Sequence, residues 1–293
     1  MASLRGMFFL MVGFLNTALH GSLIVLVSLL IPLTSPALQK RMKSCVEKIA
    51  EDWVRTWSLI FRTLTPSLCW SVQMPVELDH QRWHLILANH QSWVDILVLF
   101  HIFHRRLPFL RFFLKYELLY FPFLGLACKA LNMPFMKRYS AAYLDRHPHK
   151  RGADLARTRA ACAHFQDQPV AIVNFLEGTR LNADKQAQQH SPYRYLLRPK
   201  TGGIAFVLQA LENKMDSVLD VTIAYPEGTP TLWDLACGRL HHVVVTVEQR
   251  DIPHDCRHGD YARDGDYQRR FQAWIAGLWL DKDRHLARLL GTE

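Results

Sequence analysis

Residues 85–95 read Leu85-Ile86-Leu87-Ala88-Asn89-His90-Gln91-Ser92-Trp93-Val94-Asp95, and an apolar run from Ile96 to Phe103 follows. The first four residues read as a buried strand, and the later run as a helix. A strand, a short polar turn and an apolar helix make one unit of an α/β fold. The turn sets His90 at the mouth of the strand and Asp95 just inside the helix. Imidazole titrates near neutral pH. A carboxylate on its far nitrogen fixes the tautomer and stabilises the imidazolium that forms when the other nitrogen takes a proton. A structural reading stands beside the chemical one. Ser92-Trp93-Val94-Asp95 has the spacing of a capping box, with Ser92 as N-cap and Asp95 in the first turn, and His90 is one of fifteen histidines.

A second motif lies some eighty residues downstream. Val170–Leu176 reads as a strand and ends in Glu177-Gly178-Thr179-Arg180. Glycine permits a tight turn and a close approach of backbone to ligand. Thr179 and the turn amides can point donors at an oxyanion, and Arg180 can bind phosphate. The structural reading is a strand-to-loop turn with a surface Glu–Arg pair.

The remaining body alternates strands with helices. Val72–Leu78, Val218–Ala224 and Val243–Glu248 read as strands. Asn132–Arg138 reads as a short strand delivering Lys137 and Arg138, two cations that can hold a phosphate or simply be solvated. Helices are expected over Asp154–Phe165, over Ile204–Leu211 after Gly202-Gly203, and over Tyr267–Leu290. Residues 181–198 read as a polar loop. The aromatic stretch Leu107–Tyr120 suits either core or the wall of an acyl pocket. This alternation argues for an α/β domain.

The N-terminus differs in kind. No charged residue occurs between Gly6 and Gln39, and Met7–Leu33 is mostly apolar, interrupted by Asn16 and His20. A membrane-spanning helix needs about 20 such residues. The run exceeds the roughly 7–15 residues of a signal-peptide core, although Ser35-Pro36-Ala37 has the look of a cleavage site. Asn16 and His20 also allow a helix lying half in the interface. Lys40, Arg41 and Lys43 follow, which places the next domain on the cytoplasmic side. From Lys40 to Leu64, Met42, Val46, Ile49, Trp53, Trp57, Ile60 and Leu64 recur at helical spacing. Such a stripe suits the lipid headgroup region or packing on the domain core. The expected division is residues 1–66 as membrane anchor and amphipathic helix, and residues 67–293 as catalytic domain.

The 293 residues carry 35 Lys+Arg against 26 Asp+Glu, a net charge of +9. A basic surface suits anionic partners. The basic residues form no single stripe, and no nucleic-acid module is visible. The six cysteines hold no Cys-x-x-Cys pair, which points to a reducing compartment without a disulfide framework or zinc knuckle. No His-Glu-x-x-His motif suggests a zinc enzyme.

Asn-His-x-x-x-x-Asp at 89–95, Phe-Leu-Glu-Gly-Thr-Arg at 175–180, Pro134–Arg138 and Pro226 together resemble the glycerophospholipid acyltransferases, most of all the bacterial 1-acylglycerol-3-phosphate acyltransferases. The resemblance covers roughly residues 70–250. Leu176 stands where many members carry proline, and the third block is extended between Arg180 and Pro199. The resemblance implies a mixed β-sheet flanked by helices, with an N-terminal membrane-associated segment. It implies acyl transfer from acyl-coenzyme A or acyl carrier protein to the free hydroxyl of 1-acyl-sn-glycerol 3-phosphate. His90 would be the general base and Asp95 its orienting partner. Glu177, Gly178 and Thr179 would shape the acceptor site, with amides near Gly178 as oxyanion donors. Arg180 and Arg138 would hold the phosphate. No cofactor or metal is needed. The enzyme would work at the cytoplasmic face of the inner membrane. The competing readings are a membrane-bound thioesterase or lysophospholipid hydrolase, an acyltransferase for another lysophospholipid, and a non-catalytic basic membrane protein.

Overall fold

The computed structural model describes residues 2–74, 77–136, 146, 160, 162–163, 165, 168–211, 214–215 and 217–292. In chain order its strands are β1 (Cys69–Gln73), β2 (His84–Ala88), β3 (Leu110–Phe112), β4 (Leu114–Lys115), β5 (Phe135–Met136), β6 (Ala171–Phe175), β7 (Ser217–Ala224) and β8 (His242–Asp251). Its helices are α1 (Ala2–Leu30), α2 (Pro36–Leu64), α3 (Val94–Phe103), α4 (Leu124–Ala130), α5 (Ala183–Gln188), α6 (Gly202–Ala210), α7 (Leu232–Cys237), α8 (His254–Arg257) and α9 (Gly265–Leu289).

Six strands form one mixed sheet in the order β1-β8-β7-β2-β6-β3, and β4 pairs with β5 in a separate ribbon. Only the β7–β8 pair of the large sheet is antiparallel. The central strands are apolar on both faces, as expected where helices cover both sides. Side chains alternate across a strand. Ile86, Ala88, Val173, Val221 and Ile223 therefore join a core shared with α1 to α4. Leu85, Leu87, Ile172 and Val218 join a second core, with α6 and α9. Because β2, β6 and β7 run parallel, their carboxyl ends meet at one edge, where ligands of such sheets bind.

The two N-terminal helices pack together on the first of these cores. Gly6, Phe9, Gly13 and Asn16 are buried along one face of α1. A Cβ on Gly13 would lie 2.4 Å from the Trp57 ring, and one on Gly6 would lie 2.7 Å from Cys237 Sγ. Residues without side chains thus bring α1 against α2 and α7. The opposite face of α1 exposes Met7, Phe8, Met11, Phe14, Leu15 and Leu19. Among the described residues, Ala2–Leu33 is the one helical stretch long and apolar enough to cross a membrane. The stripe on α2 is core: Val46, Trp57 and Ile60 are buried. The buried Arg111 fastens α2 to the sheet, donating to Glu47 at 2.7 Å and to the Leu131 carbonyl at 3.0 Å.

Several boundaries differ from the sequence expectation. The first strand covers Cys69–Gln73 and not Val72–Leu78, because pairing with β8 sets its register from Cys69 against His242. The segment 181–198 is not all loop. Asn182 caps α5, its side chain accepting the Lys185 N–H at 2.8 Å. Leu110–Phe112 and Leu232–Cys237 form a strand and a helix that periodicity did not reveal. The expected strand ending at Arg138 is described as far as Met136. Lys137, Arg138 and nearly all of the helix expected over Asp154–Phe165 lie outside the described residues.

Candidate active site

His90 leaves the end of β2, and its Nδ1 lies 2.8 Å from Asp95 Oδ2. Asp95 is fully buried. The same Oδ2 accepts the Gln91 N–H at 2.6 Å and the Ser92 N–H at 2.8 Å, while Oδ1 accepts the Tyr225 hydroxyl at 2.6 Å. The same carboxylate thus meets the imidazole and two amides of the turn that precedes α3. The helix starts one residue later than a cap at Ser92 requires, and the Ser92 hydroxyl accepts the Val94 N–H while donating to Pro230 O. A carboxylate on Nδ1 puts the tautomeric proton there and leaves Nε2 as the nitrogen able to take a proton. The ring stacks on Phe175, with centroids 4.0 Å apart and planes at 15°, which fixes its remaining rotation.

The 223–230 segment clamps this turn. Asn89 accepts the Ile223 N–H at 2.8 Å and donates to the Ile223 carbonyl at 2.9 Å. This holds the end of β2 against the end of β7. Tyr225, Thr229 and Pro230 then bond Asp95, Gln91 and Ser92, so the chain after β7 clamps the His90 turn.

Gly178 adopts φ +68°, the left-handed region in which glycine carries no Cβ penalty. Its amide donates to Phe175 O at 2.9 Å and closes the turn. Of the amides near Gly178 expected as oxyanion donors, that of Gly178 itself is thus engaged within the turn. Glu177, expected to shape the acceptor site, lies fully buried inside the protein, and its carboxylate accepts the His90 N–H at 2.8 Å and the Leu197 N–H at 2.9 Å. It cross-links the His90 turn to the chain at Leu197. Burial pushes its pKa up to about 8, against the opposite pull of those two amides and, more distantly, of Lys282. Thr179 accepts a hydrogen bond from Lys185 Nζ at 2.8 Å. Arg180 is exposed and lies over the Trp93 ring, 4.9 Å from its centroid. The backbone keeps it near His90, because the Leu181 N–H donates to His90 O at 2.8 Å. Arg138 lies outside the described residues.

An apolar cavity of about 260 Å³ is lined in part by Trp93 and Ile96, on either side of Asp95 in the chain. Its walls include Gly21 of α1, Trp53 and Trp57 of α2, Ile96 and Phe100 of α3, and Ala127 of α4. Phe109, Phe112, Leu114 and Leu118, from the aromatic stretch that suited core or pocket, also line it. Phe112 stands 5.9 Å from Phe175, the ring beneath His90. Two residues escaped the sequence reading. Tyr225 was visible only as a residue at a strand end before Pro226. Lys282 was visible only as a cation within an amphipathic helix, yet it is buried and pairs with Asp220 at 2.5 Å.

The acyltransferase family model matches residues 71–230. Lysocardiolipin acyltransferase 1 of Danio rerio is 29% identical over 135 residues, covering 43% of this chain and 33% of that protein. The probable 1-acyl-sn-glycerol-3-phosphate acyltransferase 5 of Arabidopsis thaliana is 24% identical over 259 residues, covering 83% of this chain and 63% of that protein. The chain thus spans between a third and about two-thirds of these relatives' lengths. The crystal structure of the 1-acyl-sn-glycerophosphate acyltransferase PlsC of Thermotoga maritima superposes with a TM-score of 0.54, covering 96% of each chain at 14% identity. The fold is shared with that structure, and the matched segment carries every block that meets at the His90 edge of the sheet. The chain belongs to the acyltransferase family.

Proposed function

We propose that this protein moves a fatty acyl group from an acyl thioester to the free hydroxyl of 1-acyl-sn-glycerol 3-phosphate, giving phosphatidic acid. One observation carries the reading. An imidazole whose Nδ1 is fixed by a buried carboxylate shares its turn with Trp93, which lines an apolar cavity and lies under the exposed Arg180. His90 Nε2 takes the proton of the acceptor hydroxyl as its oxygen attacks the thioester carbonyl carbon. The carbon–sulfur bond breaks, and the departing thiolate receives the proton from the imidazolium. The donor is an acyl thioester of coenzyme A or acyl carrier protein. Arg180 holds the acceptor phosphate, with Arg138 as its expected second cation. The exposed apolar face of α1 lies in the membrane, and the basic flank after it keeps the catalytic face cytoplasmic.

The test supplies labelled acyl-coenzyme A to membrane fractions with lysophosphatidic acid or a lysocardiolipin as acceptor, and separates the lipids. Labelled phosphatidic acid that sediments with the membranes is the expected result. Free fatty acid in its place would make the protein a hydrolase. Product from the lysocardiolipin alone would move the acceptor assignment to that of the Danio rerio relative. Arg180→Ala should raise the KM for lysophosphatidic acid by about 10–100-fold, the weight of one lost charge-assisted hydrogen bond, with little change in kcat. An unaltered KM would remove Arg180 from the acceptor site.

The cavity takes the acyl chain. Leucine in place of Ala127 fills space along its wall. Each methylene denied burial costs about 0.8 kcal/mol, so excluding two lowers kcat/KM for long donors more than tenfold. Ala127→Leu should thus shift the preference toward shorter chains across a series of acyl-coenzyme A donors. An unchanged profile would mean that the chain lies elsewhere.

A further inference from the structure

We infer that Tyr225 is a positioning residue for the reaction, the third member of a Tyr225–Asp95–His90 relay whose phenol holds the Asp95 carboxylate in the orientation that fixes His90. The inference rests on the reading of His90 as general base.

The geometry sets the argument. Asp95 is wholly buried, so each lone pair of its carboxylate must find a donor within the protein. Three donors converge on Oδ2: His90 Nδ1 and the Gln91 and Ser92 amides. The partner on Oδ1 is Tyr225, 130 residues away in sequence, at 2.6 Å. The two amides fix the position of Oδ2, and the phenol on the other oxygen fixes the rotation of the carboxylate plane. Tyr225 follows directly on β7, whose Ile223, two residues before it, is held by a pair of hydrogen bonds with Asn89. Burial, and then the neighbouring carboxylate, push the phenol pKa well above its usual value. The group is therefore a neutral donor throughout the working pH range.

A donor on Oδ1 also draws negative charge away from Oδ2. Removing it concentrates charge beside the imidazole and favours the imidazolium. The groups facing the pair are Tyr225 on Asp95, Glu177 at the His90 amide, and Lys282 farther off, acting on Glu177. Among the described residues no other titratable side chain hydrogen-bonds His90 or Asp95.

The experiment compares wild type, His90→Ala, Asp95→Asn, Tyr225→Phe and the Asp95→Asn/Tyr225→Phe double variant in the full-length, membrane-bound protein. Phenylalanine keeps the ring and deletes only the hydroxyl. Tyr225→Phe should lower kcat roughly tenfold, the weight of one hydrogen bond to a charged group, with KM unchanged. The acidic limb of its kcat/KM profile should move to higher pH. In the Asp95→Asn background the same change should cost little more, because groups that act as one unit are not additive. Tyr225→Met, which also lacks the hydroxyl, should reproduce the kcat loss and serves if the phenylalanine variant does not accumulate. Wild-type kcat and pH profile in Tyr225→Phe, beside a crippled Asp95→Asn, would overturn the relay and leave the base assignment standing. Full activity in His90→Ala and Asp95→Asn would overturn the base assignment, and the relay with it.

Discussion

His90→Ala should lower the rate of phosphatidic acid formation by a factor of about 10²–10⁴, the usual contribution of a positioned general base, while the protein remains folded. In the proposed reaction the acceptor is an alcohol, a weak nucleophile at neutral pH, and His90 is the side chain proposed to take its proton. The ring is partly exposed and its removal leaves the Asp95–Tyr225 bond and the two amides on Asp95 in place. Unfolding temperature should therefore change little. The check is the labelled-lipid assay run beside thermal denaturation of the same preparation. Equal product from variant and wild type would reduce His90 to a residue of the helix-capping loop. A lost rate accompanied by lost fold would locate the effect in stability instead.

Lys282→Met should destabilise the protein by about 3–5 kcal/mol, the cost of breaking a buried pair and stranding its partner. The Lys282 side chain is fully buried, with Asp220 at 2.5 Å, the Val221 carbonyl at 2.6 Å and the Thr222 hydroxyl at 3.3 Å. Methionine fills similar space but satisfies none of these oxygens. Asp220 would keep a charge with no counter-charge, in the strand that carries Ile223 and Tyr225 to the site. Replacing both partners by apolar residues of similar volume is often neutral, so Lys282→Met/Asp220→Leu should recover most of the loss. The measurement is the thermal inactivation midpoint of the detergent-solubilised enzyme for the two variants and wild type. A single variant within 1 kcal/mol of wild type would mean that water reaches the pair. The effect is notable for its location, because α9 lies outside the segment that matches the family.

The sequence by itself determined the parts whose interactions are local. The apolar run 85–88 followed by a polar turn and a second apolar run specified a strand and a helix, because side-chain period and turn chemistry act over a few residues. His90 and Asp95 were legible as a pair for the same reason: five residues across one turn leave them in reach of each other. Glu177 to Arg180 were legible as a turn at a strand end, with glycine where φ is positive. Tertiary structure alone decided what each of these residues faces. Glu177 is a buried cross-link, because the His90 and Leu197 amides close on its two oxygens. Periodicity marked one face of α2 as apolar, and packing made it core. The Tyr225–Asp95 and Asn89–Ile223 bonds span 130 and 134 residues, and they exist because β2 and β7 are neighbours running the same way. Strand order is set by how all the apolar faces are covered at once, and no local spacing carries that information.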